Sequence, residues 1–131
     1  MRLLLDTHIW IWSLTDPSRL TPEIRASFCG IEHELWLSSI SVWEVLVLVR
    51  KKRLRVAGSA QQWVADALAR APLREAPITH AVAMESERLS LTHWDPADRF
   101  IAATAKMLDA TLVTADARLI AARFINVLPN L

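Results

Sequence analysis

Apolar positions change their period along this chain in a regular way, and each change marks an element. Leu3-Leu4-Leu5 is a short apolar run without helical period, as expected of a central strand buried on both faces. Thr7 to Leu14 then takes a helical pattern, with Trp10 and Leu14 one turn apart, until Asp16-Pro17 breaks it. Thr21-Pro22-Glu23 supplies an N-cap and a first-turn proline, predicting a helix to about Gly30. Leu35-Trp36-Leu37 repeats the short apolar run and is the second expected strand.

Ser41-Val42-Trp43-Glu44 has the spacing of a capping box, and Val42, Val45, Leu46 and Val49 then give a helix its buried stripe. A further helix is expected from Gly58-Ser59 to about Ala71, with Trp63, Ala67 and Leu68 on one face and Pro72 closing it. Leu73 to Ala76 is a weak third strand, Thr79 to Leu91 is helical by period, and His93-Trp94 reads as a loop. Asp95-Pro96-Ala97-Asp98 opens another helix with an N-cap, a proline and an acid three residues on; Phe100, Ile101, Thr104 and Leu108 are its expected buried face. Thr111-Leu112-Val113 is a strand, Asp116 begins a short helix through Ala122, and Ile125 to Leu128 forms a last edge strand. Such βα alternation predicts an α/β fold with a parallel sheet, helices on both faces and right-handed crossovers.

Composition narrows this picture more than it extends it. At 131 residues and 53% apolar, the chain is expected to form one domain over residues 1–131 with a proper core. The formal net charge of +1 points to no partner, although Arg50, Lys51, Lys52, Arg53 and Arg55 form a basic run. A helix carboxyl end accounts for that run, because cations are favoured there; RNA phosphate is the other reading. A single cysteine, Cys29, excludes an intrachain disulfide and a cysteine-rich zinc site, and the chain reads as cytoplasmic. Apolar stretches such as Val45 to Val49 fall far short of the roughly 18 residues that span a bilayer, so no membrane segment or signal peptide is expected. Only Gly30 and Gly58 are glycines, which removes phosphate-binding loops that need several residues without a Cβ.

What remains to carry chemistry is a set of acids: Asp6, Glu44, Asp98 and Asp116. Taken singly, each has a local explanation as a cap or a first-turn acid, except Asp6, which follows three buried leucines and must emerge at the strand's carboxyl edge. Taken together they differ, because βα units deliver every strand end and every following helix start to the same edge. Two carboxylates about 5 Å apart at an effective dielectric of 20 repel by roughly 3 kcal/mol, so a cluster requires a cation or a proton. Oxygen donors without neighbouring His or Cys favour Mg²⁺ or Mn²⁺, ions that commonly bridge carboxylates to phosphate oxygens. His8, His33, His80 and His93 have no metal-ligand spacing, and the six tryptophans fit core positions or an interface by composition alone.

The motifs Leu4-Leu5-Asp6-Thr7, Ser41-Val42-Trp43-Glu44, Asp95 to Ala103 and Leu112-Val113-Thr114-Ala115-Asp116 also carry a resemblance. Over nearly the whole chain, in order and spacing, they resemble the PIN domain, and in detail the VapC-type toxins of bacterial toxin–antitoxin pairs. The resemblance implies a three-layer α/β/α fold around a parallel sheet of four to five strands. It implies a Mg²⁺- or Mn²⁺-dependent endoribonuclease, usually a homodimer, acting on RNA and silenced by a small antitoxin protein. Its acidic quartet falls on Asp6, Glu44, Asp98 and Asp116 as catalytic residues, with Asp6, Asp98 and Asp116 expected to hold metal and Glu44 to act as ligand or base. Asp95 and Thr114 are accessory positions; Thr7 reads equally as a turn former, and Arg99, beside Asp95 and Asp98, reads as a phosphate contact or at least equally as the structural partner of an acid. Two other readings stand beside it. One is a binding module that cuts nothing; the other is a receiver-like phospho-accepting domain, which needs an acid after the third strand and a late lysine, neither found near Ala76 or after Asp116.

Overall fold

A computed structural model describes residues 1–89 and 95–131, so His93 and Trp94, expected in a loop, lie outside the described residues. Five strands, β1 (Arg2–Leu5), β2 (Glu34–Ser38), β3 (Leu73–Ala76), β4 (Thr111–Thr114) and β5 (Asn126–Pro129), form one sheet in the order β3-β2-β1-β4-β5. Every pairing is parallel, with Leu5 level with Leu37 on one side and Val113 on the other. The helices are α1 (Thr7–Thr15), α2 (Pro22–Ser27), α3 (Ser39–Arg50), α4 (Ala60–Arg70), α5 (His80–Arg88), α6 (Pro96–Leu108) and α7 (Ala117–Ala121).

The three leucines of β1 explain the layering. Leu3 and Leu5 point to one face, where Ile9 and Trp10 of α1, Ile24 of α2, Val45 of α3 and Val64 of α4 pack on them. Leu4 points to the other, against Ile101, Ala102 and Ala105 of α6 and Leu119 of α7. The alternation of successive side chains thus feeds two cores from one buried strand. The apolar run is therefore uninterrupted in sequence and two-sided in space. On the second face, alanines let α6 sit close to the sheet, and α5 covers it from outside. Glu85 of α5 is buried there because Lys106 of α6 reaches it at 3.1 Å and Arg88 at 3.5 Å.

Several local expectations are revised. α3 begins earlier than the Ser41–Glu44 spacing implies: Ser38 is its N-cap, accepting from the Ile40 amide, and Ser41 lies inside the helix, fully buried. α2 ends at Ser27 rather than near Gly30, because Phe28 and Cys29 donate to carbonyls three residues back and tighten the last turn. Along α4 the buried face runs through Val64 and Ala67, and Leu68 is 39% exposed, since it lies past the edge of that stripe. The basic run begins at Arg50, the last residue of α3, and its charged residues are exposed, as helix-end cations are.

Candidate functional site

The parallel register brings the carboxyl ends of β1, β2 and β4 side by side, and the residues that follow them meet there. Asp6 directly follows β1 and is the N-cap of α1, its Oδ1 accepting from the Thr7 amide at 2.8 Å. Its other oxygen, Oδ2, accepts from Thr114 Oγ1 at the end of β4 at 2.7 Å, and the carboxylate is 6% exposed. Asp116 caps α7 and accepts from the Arg118 amide at 2.8 Å, while its own amide donates to Thr114 Oγ1 at 3.0 Å. Thr114 therefore ties the two acids together through one buried hydroxyl.

Asp95 caps α6, accepting from the Ala97 amide at 3.3 Å, and Asp98 lies in that helix's first turn. Glu44, one turn and a half into α3, is no capping-box partner. It is held from below by Thr7, whose hydroxyl donates to Glu44 Oε1 at 2.5 Å and shares a hydrogen bond of 2.8 Å with Ser41 Oγ. Thr7 is thus more than a turn former: it positions Glu44 against α1. That role left no mark in sequence except adjacency to Asp6, because it depends on the α1–α3 packing.

Asp6, Glu44, Asp95, Asp98 and Asp116 line a single cleft of about 380 Å³, with His8, Trp12, Ala115 and Arg118 completing its wall. A larger cavity, about 490 Å³, lies at the opposite edge around Met1, Glu23, Glu32, His33 and Leu128, away from the acid cluster. Every acid singled out in the sequence therefore reaches the same depression. Arg99 does not: its guanidinium pairs with Glu87 of α5 at 2.9 Å, because it leaves α6 on the side facing α5. His8, whose place near Asp6 in sequence reads as a substrate contact or a plain hydrogen-bonding residue, lines the cleft; Arg118 is a cleft residue that the motifs did not single out, and it carries only the signal of standing two residues after Asp116.

Electrostatics bear out the cost expected of such crowding. Burial pushes the Asp98 carboxyl up to about 7, reinforced by Asp6, Asp116, Asp95 and Glu44. Asp6 and Glu44 are also raised, chiefly by burial, with the hydrogen bonds from Thr114 and Thr7 offsetting part of it. Asp116 runs the other way: burial would raise it, but hydrogen bonds from the Arg118 side chain and backbone outweigh that and lower it. Arg118 Nη2 stands 3.1 Å from Oδ2 of both Asp98 and Asp116.

The donor set fits a hard divalent ion in chemistry and in charge. The acids offer carboxylate oxygens, with His8 on the same wall; burial and the neighbouring acids hold one member near neutrality, and a cation already sits between two of the acids in the form of Arg118. No three of the acids among the described residues stand at coordinating distance of one point as they are placed. Their side chains converge on the cleft rather than on a preformed cage.

Comparison with known proteins agrees with this architecture. The sequence profile of the PIN domain family matches residues 3–125. Ribonuclease VapC22 of Mycobacterium tuberculosis is 36% identical over 120 residues, covering 89% of this chain and 88% of that protein. Among solved structures, VapBC2 from Rickettsia felis bound to a promoter DNA fragment superimposes with a TM-score of 0.75 at 18% identity, over 99% of each chain. FitAcB from Neisseria gonorrhoeae does so with a TM-score of 0.65 at 25% identity, over 95% of each chain.

Proposed function

This chain belongs to the PIN-domain family and is a homologue of a VapC ribonuclease, and we propose that it is a divalent-metal-dependent endoribonuclease, the toxin of a toxin–antitoxin pair. The observation that carries the reading is the meeting of Asp6, Glu44, Asp98 and Asp116, from four separate segments, in one cleft. A cluster that holds Asp98 near neutrality gains most from a ligand of charge +2.

In this reading Asp6, Asp98 and Asp116 hold Mg²⁺ or Mn²⁺, and Glu44 serves as a further ligand or as the base toward the attacking water. The bound ion supplies Lewis-acid chemistry, lowering the pKa of water and offsetting charge on the phosphoryl oxygens. The protein's own part is positional. Thr114 fixes the Asp6 carboxylate by a buried hydrogen bond and orients its neighbour Asp116 through the backbone. Thr7, itself hydrogen-bonded to Ser41, holds Glu44 through Oε1. Asp95, capping α6, sets where the first turn carrying Asp98 begins and adds negative charge at the cleft's outer rim. Water attacks phosphorus, the bond to the leaving nucleotide oxygen breaks, and the proton from water passes to the base.

Residues 1–131 act as one unit in this proposal. Its substrate is RNA in the cytoplasm, and its partners are a second copy of the chain, which the family resemblance implies, and a small antitoxin, in line with the toxin–antitoxin complexes of its structural relatives. No helix of the described residues is long and apolar enough to cross a membrane. The test is incubation of the purified protein with total cellular RNA and Mn²⁺, followed by mapping of new ends. Discrete cleavage that chelator or Asp98→Asn abolishes is the expected result. Binding of RNA with no cleavage under any divalent ion would favour a binding module instead.

A further inference from the structure

We propose that Arg118 is a built-in counter-cation, occupying the Asp98–Asp116 side of the cleft until a divalent ion displaces it. The proposal rests on the metal-dependent reading above and adds to it a competitor within the chain itself.

The geometry is specific. Nη2 of Arg118 is 3.1 Å from Asp116 Oδ2 and 3.1 Å from Asp98 Oδ2, while Nε lies 3.4 Å from Asp116 Oδ1. One guanidinium edge thus spans both oxygens of one acid and reaches across to a second, the forked pattern that arginine makes with carboxylates. Other ion pairs among the described residues lie away from the cleft, as those of Arg99 with Glu87, Lys106 and Arg88 with Glu85, and Arg2 and Arg74 with Glu34 do. Arg118 alone among the described basic residues that form ion pairs touches two of the cleft acids.

Chain position makes the contact easy to form and easy to break. Arg118 leaves the first turn of α7, two residues from Asp116, so closing onto that acid costs little chain entropy. Its side chain is 51% exposed, whereas those of Asp98 and Asp116 are 17% and 26% exposed. The acids are fixed in the wall, and the cation comes from the solvent side. A guanidinium there can rotate outward without disturbing the core. While it remains, one guanidinium nitrogen engages an oxygen of each acid.

Metal binding is then an exchange of one cation for another. With the bridged state of this half-exposed arginine favoured by roughly five to one, about one molecule in six has the cleft open, and the apparent affinity for metal falls about sixfold. The deciding experiment titrates Mn²⁺ into wild type, Arg118→Ala and Arg118→Lys, following free Mn²⁺ by electron paramagnetic resonance, with circular dichroism to establish that each is folded. Thermal unfolding in chelator runs in parallel. Arg118→Ala should bind Mn²⁺ about sixfold more tightly and unfold at lower temperature in chelator, with the deficit closing at saturating Mn²⁺. Arg118→Lys should fall between it and wild type. Unchanged or weaker Mn²⁺ binding by folded Arg118→Ala overturns the proposal while leaving the metal site standing, provided Asp98→Asn abolishes binding. Absence of Mn²⁺ binding in all three overturns both.

Discussion

Replacing Asp98 by Asn should make the metal-free protein more stable at alkaline pH, an unusual outcome for an acid that forms an ion pair. Asp98 titrates near 7 instead of 3.8 because burial and four neighbouring acids oppose its charge. At 1.36 kcal/mol per pH unit, holding it ionised costs the fold at most about 4 kcal/mol. Water and Arg118 on its open side reduce what reaches the folding equilibrium to about 2 kcal/mol. The direction follows from proton counting. Between about pH 4 and 7 the folded protein keeps a proton that the unfolded chain has released, so stability falls as pH rises across that window and stays low above it. Asn is neutral throughout and nearly isosteric, and Arg118 retains its bridge to Asp116. In chelator, wild type and Asp98→Asn should therefore unfold at similar temperatures near pH 4.5. At pH 8 the variant should unfold about 6 °C higher, given roughly 3 °C per kcal/mol for a chain of this size. Thermal denaturation followed by circular dichroism from pH 4.5 to 8 reads this directly. An Asp98→Asn protein no more stable than wild type at pH 8 would refute the account of Asp98 as an acid opposed by burial and neighbouring charge.

Other residues give sharper local expectations. Thr114→Val keeps shape but removes the hydroxyl between Asp6 and the Asp116 amide; it should cost about 1–3 kcal/mol in urea denaturation, and no loss would show those hydrogen bonds to be idle. Thr7→Val frees Glu44 and Ser41 from their shared partner, so RNA cleavage should fall by roughly tenfold to a hundredfold with the fold retained; full activity would remove Thr7 from the positioning role. Trp10→Ala empties a site that is 2% exposed at the centre of the α1 layer and should cost about 3–5 kcal/mol, against less than about 1 kcal/mol for the 55% exposed Trp43.

Much of this was legible in the sequence because the relevant physics is local. Leu3-Leu4-Leu5, Leu35-Trp36-Leu37 and Leu112-Val113 announce buried parallel strands by lacking any period, and Pro22 and Pro96 after Thr21 and Asp95 mark helix starts by backbone chemistry. The gathering of the acids followed from topology, since a parallel sheet places strand ends together whatever the side chains are. What could not be read is what depends on one helix touching another. Ser41 and Glu44 mimic a capping box in spacing, yet Ser38 caps the helix and Thr7, from α1, claims both. Arg99 sits beside two acids in sequence and pairs with a third from α5, because a helix turns neighbours 100° apart. Arg118 resembled any surface arginine until α6 brought Asp98 across to it.

The central claim is that these carboxylates jointly hold a divalent ion, and crystals grown with Mn²⁺ test it most directly through anomalous diffraction at the manganese edge. The account predicts a peak in the cleft within about 2.5 Å of oxygens from Asp6, Asp98 and Asp116, with Arg118 turned away. A fully occupied Mn²⁺ peak elsewhere, or an empty cleft with Arg118 still bridging Asp98 and Asp116 at millimolar Mn²⁺, would contradict it.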